Sequence, residues 1–111
     1  MPVTPAVQPA SRAHDTEQLR RDAGLWLRDL RKRRGLNQRE LADLVGAAYY
    51  PFISMLEAGR GRIQADKYEA WAEALDVPPA EFVKTLMKYF DPVTYELLFQ
   101  DEAEPTPNPQ P

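Results

Sequence analysis

The fold is decided by Leu36–Gly59, which reads LNQRELADLVGAAYYPFISMLEAG. The first half of this stretch predicts a short helix from Asn37 to Val45, because asparagine is a favoured N-cap residue and apolar residues follow it at helical spacing. Gly46 is expected to end this helix, since glycine readily takes the left-handed conformation that helix C-termini often need.

A second short helix is predicted at about Pro51–Glu57. Proline suits the first turn of a helix, where no intrahelical N–H bond is lost. Phe52 or Ile53 is expected to face the core together with Leu56, and Gly59 is expected to stop the helix. Two short helices joined by a tight turn form a helix-turn-helix pattern, in which the second helix enters the DNA major groove.

The composition indicates one small domain, residues 17–100, between two tails. Residues 1–16 and 101–111 are proline-rich and lack apolar periodicity, so both are expected to be disordered. The 111-residue chain has no cysteine and one histidine, His14, which argues against a metal site, a cofactor or an enzyme active site. No segment suggests a membrane span or a signal peptide, so a cytoplasmic, nucleoid-associated protein with no small-molecule substrate is expected.

Positive charge is concentrated just before the helix pair. The formal net charge is -3, yet residues 19–39 carry eight basic residues against two acidic ones. The run Arg31–Arg34 is explained either as a solvated helix end or as part of a phosphate-binding face.

Apolar spacing predicts further helices on both sides of the pair. Their expected bounds are Thr16–Arg34 with Thr16 as N-cap, Ala65–Leu75, Pro79 or Ala80 to Phe90, and Pro92–Gln100. Trp26 and Trp71 lie on apolar stripes and are expected to pack in the core, as is Phe82. No segment alternates as a strand would, so the prediction is a compact all-α domain of five or six helices.

Residues along Ala23–Phe82 resemble the phage repressor Cro/cI-like helix-turn-helix regulators, also called the XRE family. The resemblance implies a lambda-repressor-like fold and a sequence-specific, double-stranded DNA-binding transcription regulator of bacteria or phages. It further implies a repressor that binds as a homodimer. The matching residues are Gly24, Leu27-Arg28, Leu30-Arg31, Gly35-Leu36-Asn37-Gln38, Glu40-Leu41-Ala42, Gly46, Ile53-Ser54, Glu57, Gly59, Ala72, Leu75 and Phe82.

Several roles follow from the resemblance. Gln38 is expected to donate to a DNA phosphate, the alternative being an ordinary exposed helix residue. Arg31 and Glu57 are expected to form a semi-buried salt bridge. Arg60 and Arg62 match a loop that meets phosphate in relatives, and otherwise form a solvated loop. The predicted DNA-binding residues are Asn37, Gln38, Arg39, Tyr49, Tyr50, Pro51, Phe52, Ser54, Met55, Arg60 and Arg62.

The chain departs from the family at the start of the second helix. Seven steps separate Gly46 from Ile53 where the family pattern has six, and the polar residues usual there are replaced by Tyr49-Tyr50-Pro51-Phe52. The segment offers few hydrogen-bonding groups for base edges. Tyr50 and Phe52 either contact thymine methyl groups or sugar-phosphate, or one of them fills the gap that the extra residue creates. Tyr49 has the same two alternatives, DNA surface or packing.

The last two predicted helices carry more apolar side chains than such a short segment easily buries, which suggests a dimer surface or a cap on the monomer core. The predicted dimerisation residues are Tyr89, Phe90, Tyr95, Leu98 and Phe99. A different functional class remains open. The same fold can serve as a protein-interaction module, such as an antitoxin or an adaptor to RNA polymerase, which the aromatic second helix and the acidic C-terminal half favour.

Overall fold

The structure, a computed structural model, describes residues 15–103, and the side chains of residues 15–100. Over this range the chain is all-α, with no strand, as the sequence predicts. The tails predicted to be disordered lie largely outside the described residues. The elements are α1 (Thr16–Arg33), α2 (Gln38–Val45), α3 (Pro51–Glu57), a 3-10 turn (Ala65–Lys67), α4 (Tyr68–Ala74), α5 (Pro79–Phe90) and α6 (Pro92–Ala103).

The N-cap of the first helix lies one residue before the predicted cap. Asp15, not Thr16, is the N-cap, because its carboxylate accepts from the backbone N–H of Gln18 at 3.2 Å. The prediction of Thr16 as N-cap is therefore wrong, since aspartate directly before it satisfies the same orphan donors and adds a negative charge at the positive end of the helix dipole.

The helices enclose one core. α1 packs against α3 and α5, α2 packs against α3 and α4, and α5 also packs against α4 and α6. Trp71 and Phe82 are 2% and 0% exposed, and the ring of Trp26 stacks on Phe82 at 5.3 Å between centroids. Core packing of both tryptophans is thereby confirmed. The other large, fully buried side chains are Leu27, Leu41, Ile53 and Leu86.

α1 crosses the end of α3 at very short range. A Cβ added to Gly24 would lie 2.4 Å from the carbonyl oxygen of Glu57 and 2.6 Å from that of Leu56. A side chain of any size would push these backbones apart, so the glycine is needed for the crossing although it lowers helix propensity. The C-terminal end of α3 is thus held directly against α1.

Two helix bounds differ from their predictions. The predicted helix Ala65–Leu75 begins as a 3-10 turn, where Gln64 gives no side-chain cap. The last helix continues to Ala103, past its predicted end at Gln100, with a non-helical Phe99 inside it.

Candidate nucleic-acid interface

The start of α2 is fixed by a reciprocal cap. The side-chain oxygen of Asn37 accepts from the backbone N–H of Glu40 at 2.7 Å, and the Glu40 carboxylate accepts from the backbone N–H of Asn37 at 2.8 Å. The predicted N-cap is confirmed. Glu40 was not assigned this role from the sequence, although the spacing N-x-x-E is that of a capping box. The cap sets the direction in which Gln38 leaves the helix.

A short turn, residues 46–50, connects α2 to α3. Gly46 has φ 72° and ends α2, as predicted. The backbone N–H groups of Phe52 and Ile53 donate to the carbonyls of Tyr49 and Tyr50, at 2.9 and 3.0 Å. These bonds span three residues and form a turn that leads directly into α3.

Glu57 links the three helices that form the candidate interface. Its carboxylate accepts from Arg31 Nε at 2.6 Å and from Arg31 Nη2 at 3.0 Å, which confirms the bidentate geometry of the predicted salt bridge. The two side chains are only 9% and 6% exposed. Arg31 Nη1 also donates to the Leu36 carbonyl at 2.8 Å, and Gln38 Nε2 donates to Glu57 Oε1 at 3.0 Å. The position of α3 is therefore set from both α1 and α2.

Gln38 is neither fully exposed nor free. Its amide nitrogen carries two hydrogens, of which one is taken by Glu57, so a phosphate contact has one donor left. The phosphate contact of Gln38 stays a prediction. The alternative, an ordinary exposed helix residue, does not describe Gln38, because its side chain is half-buried.

The basic run Arg31–Arg34 is divided between different tasks. Arg31 is buried in the ion pair with Glu57, so its role is structural and it is not part of a phosphate-binding face. Arg34 Nε donates to the carbonyl of Ala74 at 3.2 Å, which ties the end of α1 to α4. Arg33 pairs with Asp29 on the exposed face of the same helix. Arg31 therefore has the structural role predicted for it, and burial removes its guanidinium from any phosphate-binding face of the run.

Another arginine, Arg28, is better placed for phosphate. It is exposed and lines a groove of about 270 Å³ between α1, α2 and α3. Its neighbours around this groove are Arg31, Gln38, Ser54, Glu57 and Ala58. Sequence reasoning missed it as a contact residue, although it lies one turn before Arg31 on the same helix.

α3 divides into a buried face and an outer face. Ile53 and Leu56 are buried, which decides the predicted alternative at positions 52 and 53 in favour of Ile53 as the deepest residue. Ser54 is exposed, and its hydroxyl donates to the Pro51 carbonyl at 3.0 Å. Pro51 and Met55 are half-buried. The outer face therefore presents mostly carbon and sulfur atoms.

The three aromatic residues before and within this helix have different surroundings. Tyr49 and Tyr50 are 65% and 44% exposed, and the guanidinium of Arg39 lies 4.6 Å from the Tyr50 ring centroid. Phe52 packs against the core and lines a cavity of about 340 Å³ beside Trp71. Phe52 thus packs against the core, and its DNA contact stays a prediction. Tyr49 and Tyr50 lie at the surface.

The arginines of the loop after α3 diverge. Arg60 is exposed. The guanidinium of Arg62 lies 5.5 Å from the centroid of the Phe90 ring, which Arg20 also approaches at 5.2 Å. Arg62 is therefore directed towards the end of α5. This cation–π arrangement leaves its N–H donors usable, so its phosphate contact also stays a prediction.

The predicted dimerisation residues do not form one exposed patch. Tyr89 packs on Trp26 at 5.6 Å, and Phe90 packs against the core. The rings of Tyr95 and Phe99 pack on each other at 5.2 Å. Only Leu98 is largely exposed, at 63%, together with two residues that the sequence did not single out, Val93 and Leu97. Much of the predicted surface therefore caps the monomer.

Comparison with known families agrees with this architecture. None of the helices within residues 15–103 is long and apolar enough to cross a membrane. A comparison with curated proteins gave no match. The model of the helix-turn-helix family HTH_3, the XRE type, matches residues 27–82, about half of the chain, a range that includes α2, α3 and the glutamate linking them to α1. The chain therefore belongs to the XRE-type helix-turn-helix family of DNA-binding transcription regulators.

Proposed function

We propose that the chain is a sequence-specific repressor of transcription that binds double-stranded DNA as a homodimer, with α3 in the major groove. The observation that carries this proposal is the fixed position of α3. Glu57 connects it to both preceding helices, while its outer face is left open. Because these bonds already hold the base of α3 in place, the helix can enter a groove without a change in the side chains that support it.

The surroundings of α3 support the same docking. Arg28 and Arg60 are exposed, and Gln38 and Arg39 lie at the start of α2. Contacts of this kind to phosphate place a helix in register with the groove, while base contacts supply specificity. Such a protein acts at the nucleoid, where its operator is located.

Salt-dependent binding tests this proposal. Anisotropy titrations with duplexes selected from the host genome are expected to show a steep fall of log K with log salt. Arg28→Ala and Arg60→Ala should each reduce the slope by about 0.9, the value for one neutralised phosphate. Lys88→Ala, on the remote helix α5, is the control and should leave the slope unchanged. Binding absent even at low salt would contradict the proposal and favour the protein-interaction module.

The dimer contact proposed here lies on α6. Val93 and Leu97 are one helical turn apart and 59% and 74% exposed, and Leu98 adjoins them. Two copies joined through this surface would present two α3 helices to half-sites about 34 Å apart. Sedimentation should show a dimer that Leu97→Asp dissociates, whereas Leu44→Asp, at a leucine 54% exposed on α2, should not. A wild-type monomer at all concentrations and on operator DNA would refute the contact.

A further inference from the structure

The outer surface of α3 lacks the side chains that normally read base edges. Residues 49–58 read YYPFISMLEA and contain no arginine, lysine, asparagine or glutamine. These four residue types make most of the bidentate hydrogen bonds to guanine and adenine in the major groove. Hydrogen-bond reading from this helix is therefore limited to Ser54, Glu57 and the tyrosine hydroxyls.

Two of these groups are already occupied. The Ser54 hydroxyl donates its hydrogen to the Pro51 carbonyl at 3.0 Å, so only its oxygen lone pairs remain. The Glu57 carboxylate accepts from Arg31 and Gln38 and is 6% exposed. A base that recruited Glu57 would first have to break bonds that hold the three helices together, and Ser54 offers only acceptor lone pairs. Their contribution to specificity is therefore small.

The remaining surface is apolar and held in place. Pro51 is rigid and Met55 is half-buried, so neither loses much freedom on contact. Tyr50 is steadied by the Arg39 guanidinium 4.6 Å from its ring centroid. Tyr50, Pro51 and Met55 together form what we call the apolar tip of α3. The major groove offers one apolar group to such a tip, the C5-methyl group of thymine.

We propose that the apolar tip reads C5-methyl groups of pyrimidines, so that the operator is defined by the positions of its methyl-bearing bases. This inference rests on the proposed entry of α3 into the major groove. 5-Methylcytosine carries its methyl group at the same place, so methylation of a cytosine next to the tip creates the same contact. The specificity is then apolar and depends on shape, with phosphate contacts supplying most of the affinity.

Replacement of thymine by uracil tests the inference, because it removes the methyl group and keeps every hydrogen-bonding group. A duplex of 20 base pairs selected from a randomised library is the probe, with uracil placed at one thymine at a time. Binding should weaken about fourfold at each position where a methyl group is buried, the transfer cost of one such group. Positions outside the contact should show no change.

Variants connect the effect to the tip. In Met55→Ala, thymine-to-uracil replacement at one position of each half-site should no longer weaken binding. Met55→Leu should retain the weakening at that position. Arg60→Ala is the matched control, since it should weaken all duplexes alike and leave the thymine-to-uracil ratio unchanged. Sequence-specific binding with a flat uracil series would overturn the inference and leave the proposed function intact. Failure to select any duplex at low salt would overturn both.

Discussion

The bond network around Glu57 allows a quantitative test by replacement of its two charged members, Arg31 and Glu57. Glu57→Met leaves the Arg31 guanidinium, whose side chain is 9% exposed, with only the Leu36 carbonyl as acceptor. Removal of one partner of a buried ion pair costs about 3–5 kcal/mol. A domain of this size has roughly 4–13 kcal/mol of stability in total. The single substitution is therefore expected to lower the unfolding midpoint by at least ~12 °C.

The double variant Arg31→Met/Glu57→Met should be less destabilised than either single variant. No charge is left buried in it, and the remaining cost comes from the Leu36 carbonyl and the Gln38 amide, which lose their partners at about 1 kcal/mol each. The double variant should thus lose about 2 kcal/mol, far less than the sum of the single variants. Such non-additivity is the signature of a direct interaction.

Urea unfolding followed by circular dichroism at one fixed protein concentration measures these differences, because a dimer's stability depends on concentration. The control is the pair Arg33 and Asp29 on α1, whose side chains are 71% and 59% exposed. Asp29→Met and Arg33→Met should each cost no more than about 0.5 kcal/mol. The reasoning is refuted if Glu57→Met costs as little as Asp29→Met, or if the costs at positions 31 and 57 simply add.

Three further outcomes are expected. Gly24→Ala places a methyl group 2.4 Å from the carbonyl oxygen of Glu57 and should cost about 3 kcal/mol in urea unfolding; a gain in stability would show that α1 can move aside. Asn37→Ala removes a side-chain cap and should cost about 1 kcal/mol, with Asn37→Asp close to wild type. Burial, and after it the charge of Asp22, raises the pKa of Tyr89 above 10.0, so the unfolded chain releases this proton first as pH rises. The contribution of Tyr89 to the free energy of unfolding is complete below pH 10.0 and is lost as the pH rises towards the folded-state pKa. When the pH is raised above 10.0, the Tyr89→Phe variant should therefore lose less stability than wild type. Equal losses would contradict this account.

The local elements were predictable because their causes are local. An asparagine N-cap, a proline in the first turn and a glycine with φ 72° act through their own backbone, so α2 and α3 have their predicted starts and the predicted glycine ends α2. The error at the start of α1 is also local, since Asp15 and Thr16 both favour caps and only the backbone decides between them.

Contacts between distant residues were predictable only where the family resemblance supplied them. The ion pair of Arg31 and Glu57 joins residues 26 positions apart, and no periodicity in the sequence indicates it. The cation–π contact of Arg62 with Phe90 had no such guide and was not expected. The same is true of the contact of Tyr89 with Trp26, which packs one of the predicted dimerisation residues against its own chain.

The sequence by itself determined an all-α domain and the limits of the two central helices, because helix caps and apolar spacing act over a few residues. Membership of a DNA-binding class followed from the resemblance of its residues to the XRE family. Tertiary structure alone decided which exposed groups remain for DNA. Phe52 turned towards the core, and Arg31 was buried against Glu57. Burial and hydrogen-bond partners depend on what the neighbouring helices bring to each side chain, and that information is absent from any single stretch of the chain.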